Sequence, residues 1–505
     1  MCGFFISNNP NVLREHADLI EKCLRFRGPD CSSGLVERNG WKAYHSRLSI
    51  IDLNTGSNQP FIDNTGGTLV FNGEILNYKE LGLKYFNKDY TSDTELLSDL
   101  IVSEHIDLNE LDGFFAFVYI DSNGELKYVA RDKFGVKPLF YHEDSYGFSF
   151  SSEPNVLKAL FELSVNPLAI EEYHSARAPI FSGSYFSGIK SVTPGECLVN
   201  GTYFDCLNDF NNYDSPSLSE LEENIRTGIK TRLVSDAKVG LLLSRGIDSN
   251  LIHQLAEFDH LYTIGFKDDD DIVYLKSQNI KNLCIYECEA DEYKSSFEYL
   301  LKLRGEPMSV PNEVLLYKIA SIAAQDGIKV LLSGEGADEF FGGYDRVFNW
   351  AASCENNFDL DTFLNYYCYS VPAKDTETYR NFSQLFDQID TLSVFEKVRY
   401  FFIKYHLPIL FRRLDFALMA AGVEGRDPIA NHHVFKSAIK YTHQQLMAGE
   451  LGKLPLRELI SPYKGASFAF EKKVGFPVDL TKIFENPKSL TSYELWFEKN
   501  LEVLK

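Results

Sequence analysis

The residue after Met1 is a cysteine, and if the initiator methionine is removed, Cys2 carries a thiol and an α-amine together. An α-amine titrates at about pH 8, close enough to neutral to take the thiol proton directly or through water, so nucleophile and base would share one residue. A cysteine standing alone there is more often an ordinary buried side chain. A second stretch, LLLSRGIDSN (241–250), has the form of a buried strand that runs into a Ser/Gly loop and then a helix. Such a loop presents backbone N–H groups and the positive end of a helix to a phosphate. Position 245, where glycine would be the natural choice, is arginine.

The elements around these stretches are of two kinds. Residues 1 to about 200 are rich in strand-like runs, among them CGFFIS, TLVFNGEIL, FFAFVYI, LKYVAR and YGFSFSS. Asn123-Gly124 between two of them predicts a hairpin, because both residues tolerate positive φ. The stretch LNDFNNYDSPSLS (207–219) is polar, aperiodic and interrupted by proline, and reads as a linker. Ser219 and Glu222 form a candidate capping box for a helix whose Leu221, Ile225, Ile229 and Leu233 share one face. Beyond it KVGLLL, HLYTIGF and IKVLLSG alternate with helical stretches, the pattern of a parallel sheet with covering helices. After about residue 345 the chain reads as helical and aromatic-rich, without repeats or low-complexity segments.

Length and charge narrow the function. A chain of 505 residues that is 44% apolar can bury more than one core. Its 50 basic residues against 72 acidic ones give a formal charge of −22, which disfavours nucleic acid and anionic membrane and favours small-molecule substrates. The nine cysteines are scattered and show no paired CxxC spacing, so neither a disulfide framework nor a zinc site is expected, and a reducing cytoplasm fits. The start MCGFFISNNP is not a signal peptide, and no run reaches the roughly 18 apolar residues of a membrane span. Partners are then small molecules, with a homodimer left open.

Cys2 is followed in order by RFRGPD (25–30), HSRLSIIDL (45–53), FNGEILNY (71–78) and SDTE (92–95). In these motifs the chain closely resembles the class II glutamine amidotransferases, whose N-terminal cysteine releases ammonia from glutamine through a thioester. The resemblance assigns the oxyanion hole to the Asn72 side chain and the Gly73 N–H, which is the preorganised donor pair that a tetrahedral intermediate needs. It assigns the α-carboxylate of glutamine to Arg47 and its α-ammonium to Asp93 with Glu74. ARDKFGVKPLFYH and SSEPNVLKAL match the same family as fold-defining segments.

The loop at 244–249 resembles the pyrophosphate loop of adenylating enzymes, usually Ser-Gly-Gly-x-Asp-Ser, with Ser244, Gly246, Asp248 and Ser249 retained. LLSGEGADEFFGGY (331–344), EGRDPIANHHV (424–434), GKLPLREL (452–459) and FEKKVGFPV (470–478) are similar to the glutamine-hydrolysing asparagine synthetase family, so the resemblance runs over nearly the whole chain. It implies an α/β fold: an α+β N-terminal-nucleophile αββα sandwich in 1–207, a linker at 208–219, and in 220–505 an α/β parallel-sheet nucleotide-binding domain with a helical C-terminal part. It implies ATP and Mg²⁺, with Asp248 and Asp338 as metal ligands. Glu335 would meet ammonia or the acyl-adenylate, and Lys473 would face the charge that develops in the transition state. Leu242, Ile264, Ser333 and Gly334 would hold adenine and ribose.

Two matters stay open in the sequence. If Arg245 has negative φ, its side chain fits and points to solvent or to the phosphates; if the position needs positive φ, arginine is strained there and the ATP site is lost, leaving a glutaminase or binding protein. The default acceptor is aspartate, the alternative another carboxylate such as a sugar uronate, because segment 266–293 is short and irregular and lacks the family's His-His-Glu ending. Relatives that close a β-lactam ring lack the N-terminal cysteine, so Cys2 argues against that branch.

Overall fold

The computed structural model describes residues 2–210, 214–354, 357–472 and 478–505. Its first half stacks two antiparallel sheets. Cys2–Ser7 (β1) and Trp41–Arg47 (β2) lie at the centre of a seven-stranded sheet, and Thr68–Ile75 (β3), Gly113–Ile120 (β4) and Leu126–Arg131 (β5) at the centre of a six-stranded one. Period-two alternation explains the layering. Phe4 and Ile6 of β1 meet Val70, Ala116 and Val118 between the sheets, whereas Phe5 turns to the outer face with Tyr44, Ile20 and Leu24. Helices Ala17–Leu24 (α1) and Pro154–Leu160 (α4) cover the first sheet, and Asp93–Val102 (α3), preceded by Tyr78–Phe86 (α2), covers the second. The four layers are those of the αββα sandwich, and the predicted hairpin joins β4 to β5. Gly124 there takes φ +84°, and Asp121 Oδ1 accepts from the N–H groups of Asn123 and Glu125 at 2.9 Å.

The second half opens with helix Leu218–Arg232 (α5), which starts two residues earlier than the Ser219/Glu222 pair suggested. Ser217 is the N-cap instead: its hydroxyl accepts from Glu220 N at 3.2 Å, and Glu220 accepts from Ser217 N at 2.8 Å. Two Ser-x-x-Glu frames overlap in this stretch, and the one directly behind Pro216, whose N-cap is extended, closes the box. Leu221, Ile225 and Ile229 are buried as the periodicity required, while Leu233 is the C-cap.

Five parallel strands then form one sheet in the order β8-β7-β6-β9-β10, with β6 at Lys238–Leu242, β7 at Leu261–Gly265, β8 at Leu283–Glu287, β9 at Ile328–Leu332 and β10 at Glu424–Arg426. Helices Ile247–Leu255 (α6), Asn312–Gln325 (α7), Ala337–Phe341 (α8), Leu407–Met419 (α9) and Leu454–Lys464 (α10) surround it. The loops after β6 and β9 leave the carboxyl ends of adjacent strands, which is where ligands bind open parallel sheets. All nine cysteines are free thiols, and no helix among the described residues is long and apolar enough to cross a membrane.

Candidate functional site

In the first site, β1 places Cys2 directly opposite Arg47 of β2, and Asn72 of β3 lies across from the nucleophile. The Cys2 backbone nitrogen donates to Asn72 Oδ1 at 3.0 Å. That bond fixes the amide, and Asn72 Nδ2, fully buried, has no partner among the described residues. A buried donor left open costs about 1–3 kcal/mol unless a ligand accepts from it, and an oxyanion at the thiol would do so. Gly73 takes φ +141°, and a Cβ there would lie 2.0 Å from the Phe114 carbonyl oxygen. Only glycine lets β3 approach β4 this closely. Burial pushes the Cys2 thiol up, while the Leu48 N–H and Arg47 pull it down.

Glu74 and Asp93 form a buried, hydrogen-bonded carboxyl pair. Burial pushes Asp93 up to about 6, although Ile75 N–H donates to its Oδ2 at 3.0 Å. Burial, then repulsion from Asp93 and Glu424, raises Glu74 well above the carboxylate range. The pair therefore retains a proton, and a cation entering between the two groups would displace it. Arg47 is 5% exposed and donates to the carbonyls of Ile51, Asp52 and Asn54 and to Asn58 Oδ1, so it ties down loop 51–58 beside Cys2. An incoming carboxylate has to exchange with some of these carbonyls.

The second site lies at the carboxyl edge of the parallel sheet. Leu242 ends β6 and Ile264 sits near the end of β7. The 244–249 loop closes on itself: Ser249 Oγ accepts from Ser244 N at 3.1 Å, Ser244 Oγ accepts from Gly246 N at 3.1 Å, and Asn250 Nδ2 donates to the carbonyls of Ser244 and Gly246 at 2.8 Å. Gly334 packs against Asp248, where a Cβ would be 2.9 Å from the Asp248 Cβ, which brings the second loop onto the first. Glu335 is ion-paired with Arg413 of α9, and its N–H donates to Ser333 Oγ at 3.3 Å.

Between the two metal-ligand candidates stands a residue to which the sequence reading gave no role. Lys453 Nζ lies 2.8 Å from both Asp248 Oδ2 and Asp338 Oδ1, buried at 5% exposure. Burial lowers its pKa, but the two carboxylates outweigh that and hold it above the ordinary lysine range. Lys453 has φ +63°, unusual for a side-chain-bearing residue, and precedes α10 as its N-cap. Gly343 makes the approach possible, since a Cβ there would lie 1.9 Å from Asp338 Oδ1 and 2.2 Å from Lys453 Cε. The signal within GKLPLREL was a lysine behind a glycine in a segment already matched to the family. Asp248 Oδ1 is buried and unpartnered among the described residues, and two hard carboxylates of this kind suit Mg²⁺ on a triphosphate. Lys473 lies outside the described residues.

Arg245 keeps φ out of the positive region. Its guanidinium pairs with Glu471 and stacks 5.3 Å from the Tyr274 ring, turned along the rim of the loop. Neither backbone strain nor a filled phosphate space follows from arginine here. Arg245→Gly is accordingly expected to leave ATP-dependent pyrophosphate release within about tenfold of the parent, because the contact it removes is a partly exposed ion pair with Glu471, which contributes about 1 kcal/mol or less. A loss of more than a hundredfold in a pyrophosphate assay would place the guanidinium on the phosphates instead.

Buried ion pairs connect the two sites. Arg27 Nε donates to the Cys2 carbonyl at 3.1 Å, and its other nitrogens reach Glu153 at 2.6 Å and Asp415 of α9 at 2.8 Å. Arg412 pairs with the same Glu153 and with Glu306, and Arg413 beside it carries Glu335. RFRGPD and SSEP thus meet at the junction between nucleophile strand and α9, so that SSEP, expected only to define the fold, also joins the two halves.

Comparisons with known proteins follow the same division. Residues 1–204 match the family model described as glutamine amidotransferase domain. Glutamine-hydrolyzing asparagine synthetase 1 of Bacillus subtilis is 28% identical over 68% of this chain and 59% of its own length. A putative asparagine synthetase of Methanocaldococcus jannaschii is 32% identical over 60% of this chain and 58% of its own. Asparagine synthetase 3 of B. subtilis is 26% identical over 94% of this chain and 87% of its own. The chain therefore spans less than two thirds of the length of the first two. Residues 220–499, more than half of the chain and the part that holds the loops after β6 and β9 and Lys453, match the model described as asparagine synthase, and to that family the chain belongs.

Proposed function

We propose that the chain is an ATP-dependent carbon–nitrogen ligase that takes its nitrogen from glutamine. Residues 1–207 are the glutaminase, 208–219 the linker and 220–505 the synthetase. With Met1 removed, the Cys2 amine, oriented by Asn72 Oδ1, accepts the thiol proton, and the thiolate attacks the glutamine amide. Asn72 Nδ2 and the Gly73 N–H receive the oxyanion, Glu74 and Asp93 the α-ammonium, and Arg47 the α-carboxylate. In the second site the Ser244–Ser249 loop with Ser333 and Gly334 cradles ATP beside Leu242 and Ile264. Mg²⁺, held by Asp248 and Asp338 when bound, supplies charge neutralisation of the triphosphate. Lys453, fixed between those aspartates, faces the bridging phosphate as its charge grows, and Glu335, aimed by Arg413, faces the activated carboxylate. Ammonia passes inside the molecule from the first site to the second, and the products are glutamate, AMP, pyrophosphate and an amide.

The observation that carries this reading is the Asp248–Lys453–Asp338 cluster, because a buried lysine shared by buried Asp248 and half-exposed Asp338 at the carboxyl edge of a parallel sheet leaves one negative charge in excess, which suits a divalent cation carried on an anionic ligand. Aspartate is the acceptor we assign, following the family. The test supplies the purified chain with Mg²⁺, ATP, amide-¹⁵N glutamine and a panel of carboxylates that includes aspartate. The expected result is ¹⁵N-asparagine in amounts equal to AMP and pyrophosphate. AMP formed with a different carboxylate would move the acceptor and keep the mechanism; no AMP with any of them would retract the ligase.

A further inference from the structure

A cavity of about 20 Å³ lies between the two halves, bounded by Gly113, Phe114 and Phe115 at the start of β4 and by Asp427, Ala430 and Asn431 beyond β10. That volume holds one water-sized molecule. The cavity stands between the two sites: Phe114 and Phe115 pair with Glu74 and Gly73 across β3 and β4, and Asp427 is bound to the Ser333–Glu335 loop.

Among the described residues the other charged groups around it have partners, and His432, which also lines it, is kept neutral because burial pushes it down to about 3, its Nδ1 without a partner there. Arg232 pairs with Asp112 at 2.9 Å, Asp132 accepts from the N–H groups of Val136 and Lys137 at 2.9 Å, and Lys133 Nζ donates to the Asn109 carbonyl at 2.7 Å. Lys137 pairs with Asp415 at 3.3 Å, and Arg413 with Glu335. Asp427, only 4% exposed, accepts from the Ser333 hydroxyl on Oδ1, while its Oδ2 is buried with no partner among the described residues. Burial pushes this carboxyl up to about 7 against the Ser333 hydrogen bond, so both protonation states are accessible near neutrality.

We propose that this cavity binds ammonia in transit and that Asp427 is the group that holds it. The inference rests on the amidotransferase reading for its supply of ammonia. Ammonia is water-sized but far more basic. The O–H bond of the Asp427 carboxyl breaks as an N–H bond forms, leaving an ammonium ion against a carboxylate. Return of the proton to Oδ2 frees ammonia with its lone pair for attack at the synthetase site. Water in the same place accepts no proton from a carboxyl group, so the site discriminates between the two. Sodium carries no proton to return to Oδ2, so it can neither be formed from nor released as a neutral molecule in transit.

Thermal unfolding of the full chain in ammonium chloride against sodium chloride at equal concentration tests this without nucleotide or acceptor. Ammonium is expected to raise the parent Tm by about 1 °C or more over sodium. Asp427→Asn, which keeps an acceptor for Ser333 but cannot hold the charge, should show no difference, and neither should Asp427→Leu. No ammonium response in the parent, or the same response in all three, overturns the site. In a second arm with ATP, glutamine and aspartate, the amide formed per glutamine hydrolysed is expected to drop by about twofold or more in Asp427→Asn, with glutamine hydrolysis unchanged. Unchanged coupling in that variant overturns the transit role. A parent that responds to ammonium through Asp427 yet makes no amide from any carboxylate keeps the site and discards the amidotransferase reading, so the two fail separately.

Discussion

Lys453→Met is expected to lower ATP-dependent amidation by at least about a hundredfold while glutamine hydrolysis stays at the parent rate. The variant keeps the length and most of the volume of the side chain and removes only the charge that Asp248 and Asp338 share at 2.8 Å. Two effects follow. The developing charge on the phosphates loses its nearest fixed cation, which acts on kcat rather than on KM for ATP. The two aspartates also lose their compensation, at a cost that falls mainly on the buried Asp248 and is screened by solvent at the half-exposed Asp338. Part of that loss is recoverable, because a divalent cation can take the place of the ammonium group. The variant Tm should therefore rise more steeply with added Mg²⁺ than the parent Tm does. Amidation kinetics with saturating ammonia and a Mg²⁺ titration followed by thermal unfolding measure the two effects. An unchanged kcat would restrict Lys453 to a structural role, and identical Mg²⁺ responses in both proteins would remove Asp248 and Asp338 from the metal site.

Lys453 also marks where the sequence stops being legible. Asn72 and Gly73 are neighbours on one strand of the Cys2 site, and their motif survives as a contiguous word; Asp93 stands at a helix start, where the SDTE motif is equally local. The period-two runs of the first half and the short apolar runs of the second mark strands in all three sheets for the same reason, since each pattern is written within a strand. Lys453 is 205 residues from Asp248, and its meaning arises only when α10 docks on the two loops. The strand Glu424–Arg426 was invisible for a related reason: its charged residues are buried because they pair with each other, and in a sequence they read as surface. Asp427 next to it is a further case. Arg245 needed a backbone angle, which no single residue identity supplies, and the angle decides against strain.

Cys2→Ala is expected to reduce glutamine hydrolysis and glutamine-dependent amidation by at least about 10³-fold, with ammonia-dependent amidation within about twofold of the parent. The asymmetry follows from how the nucleophile is mounted. Its backbone, not its thiol, makes the connections that matter elsewhere: the nitrogen donates to Asn72 Oδ1, and the carbonyl accepts from Arg27, whose remaining nitrogens hold Glu153 and Asp415. Alanine keeps all of these and the pairing of β1 with β2. The loss of one buried sulfur should then cost about 1 kcal/mol, small enough that the variant remains folded at assay temperature. Arg27→Met is the informative counterpart, because it leaves the thiol and removes the tie between β1 and α9. It should depress ammonia-dependent amidation as well, through Asp415 and the neighbouring Arg413–Glu335 pair. Parallel assays with glutamine and with ammonium chloride, using asparagine formation as the readout, separate the two behaviours. If Cys2→Ala loses both activities equally, the nitrogen donor and the ligase do not occupy separate sites. If Arg27→Met spares the ammonia-dependent reaction, the buried ion pairs hold the halves together without conditioning the synthetase centre.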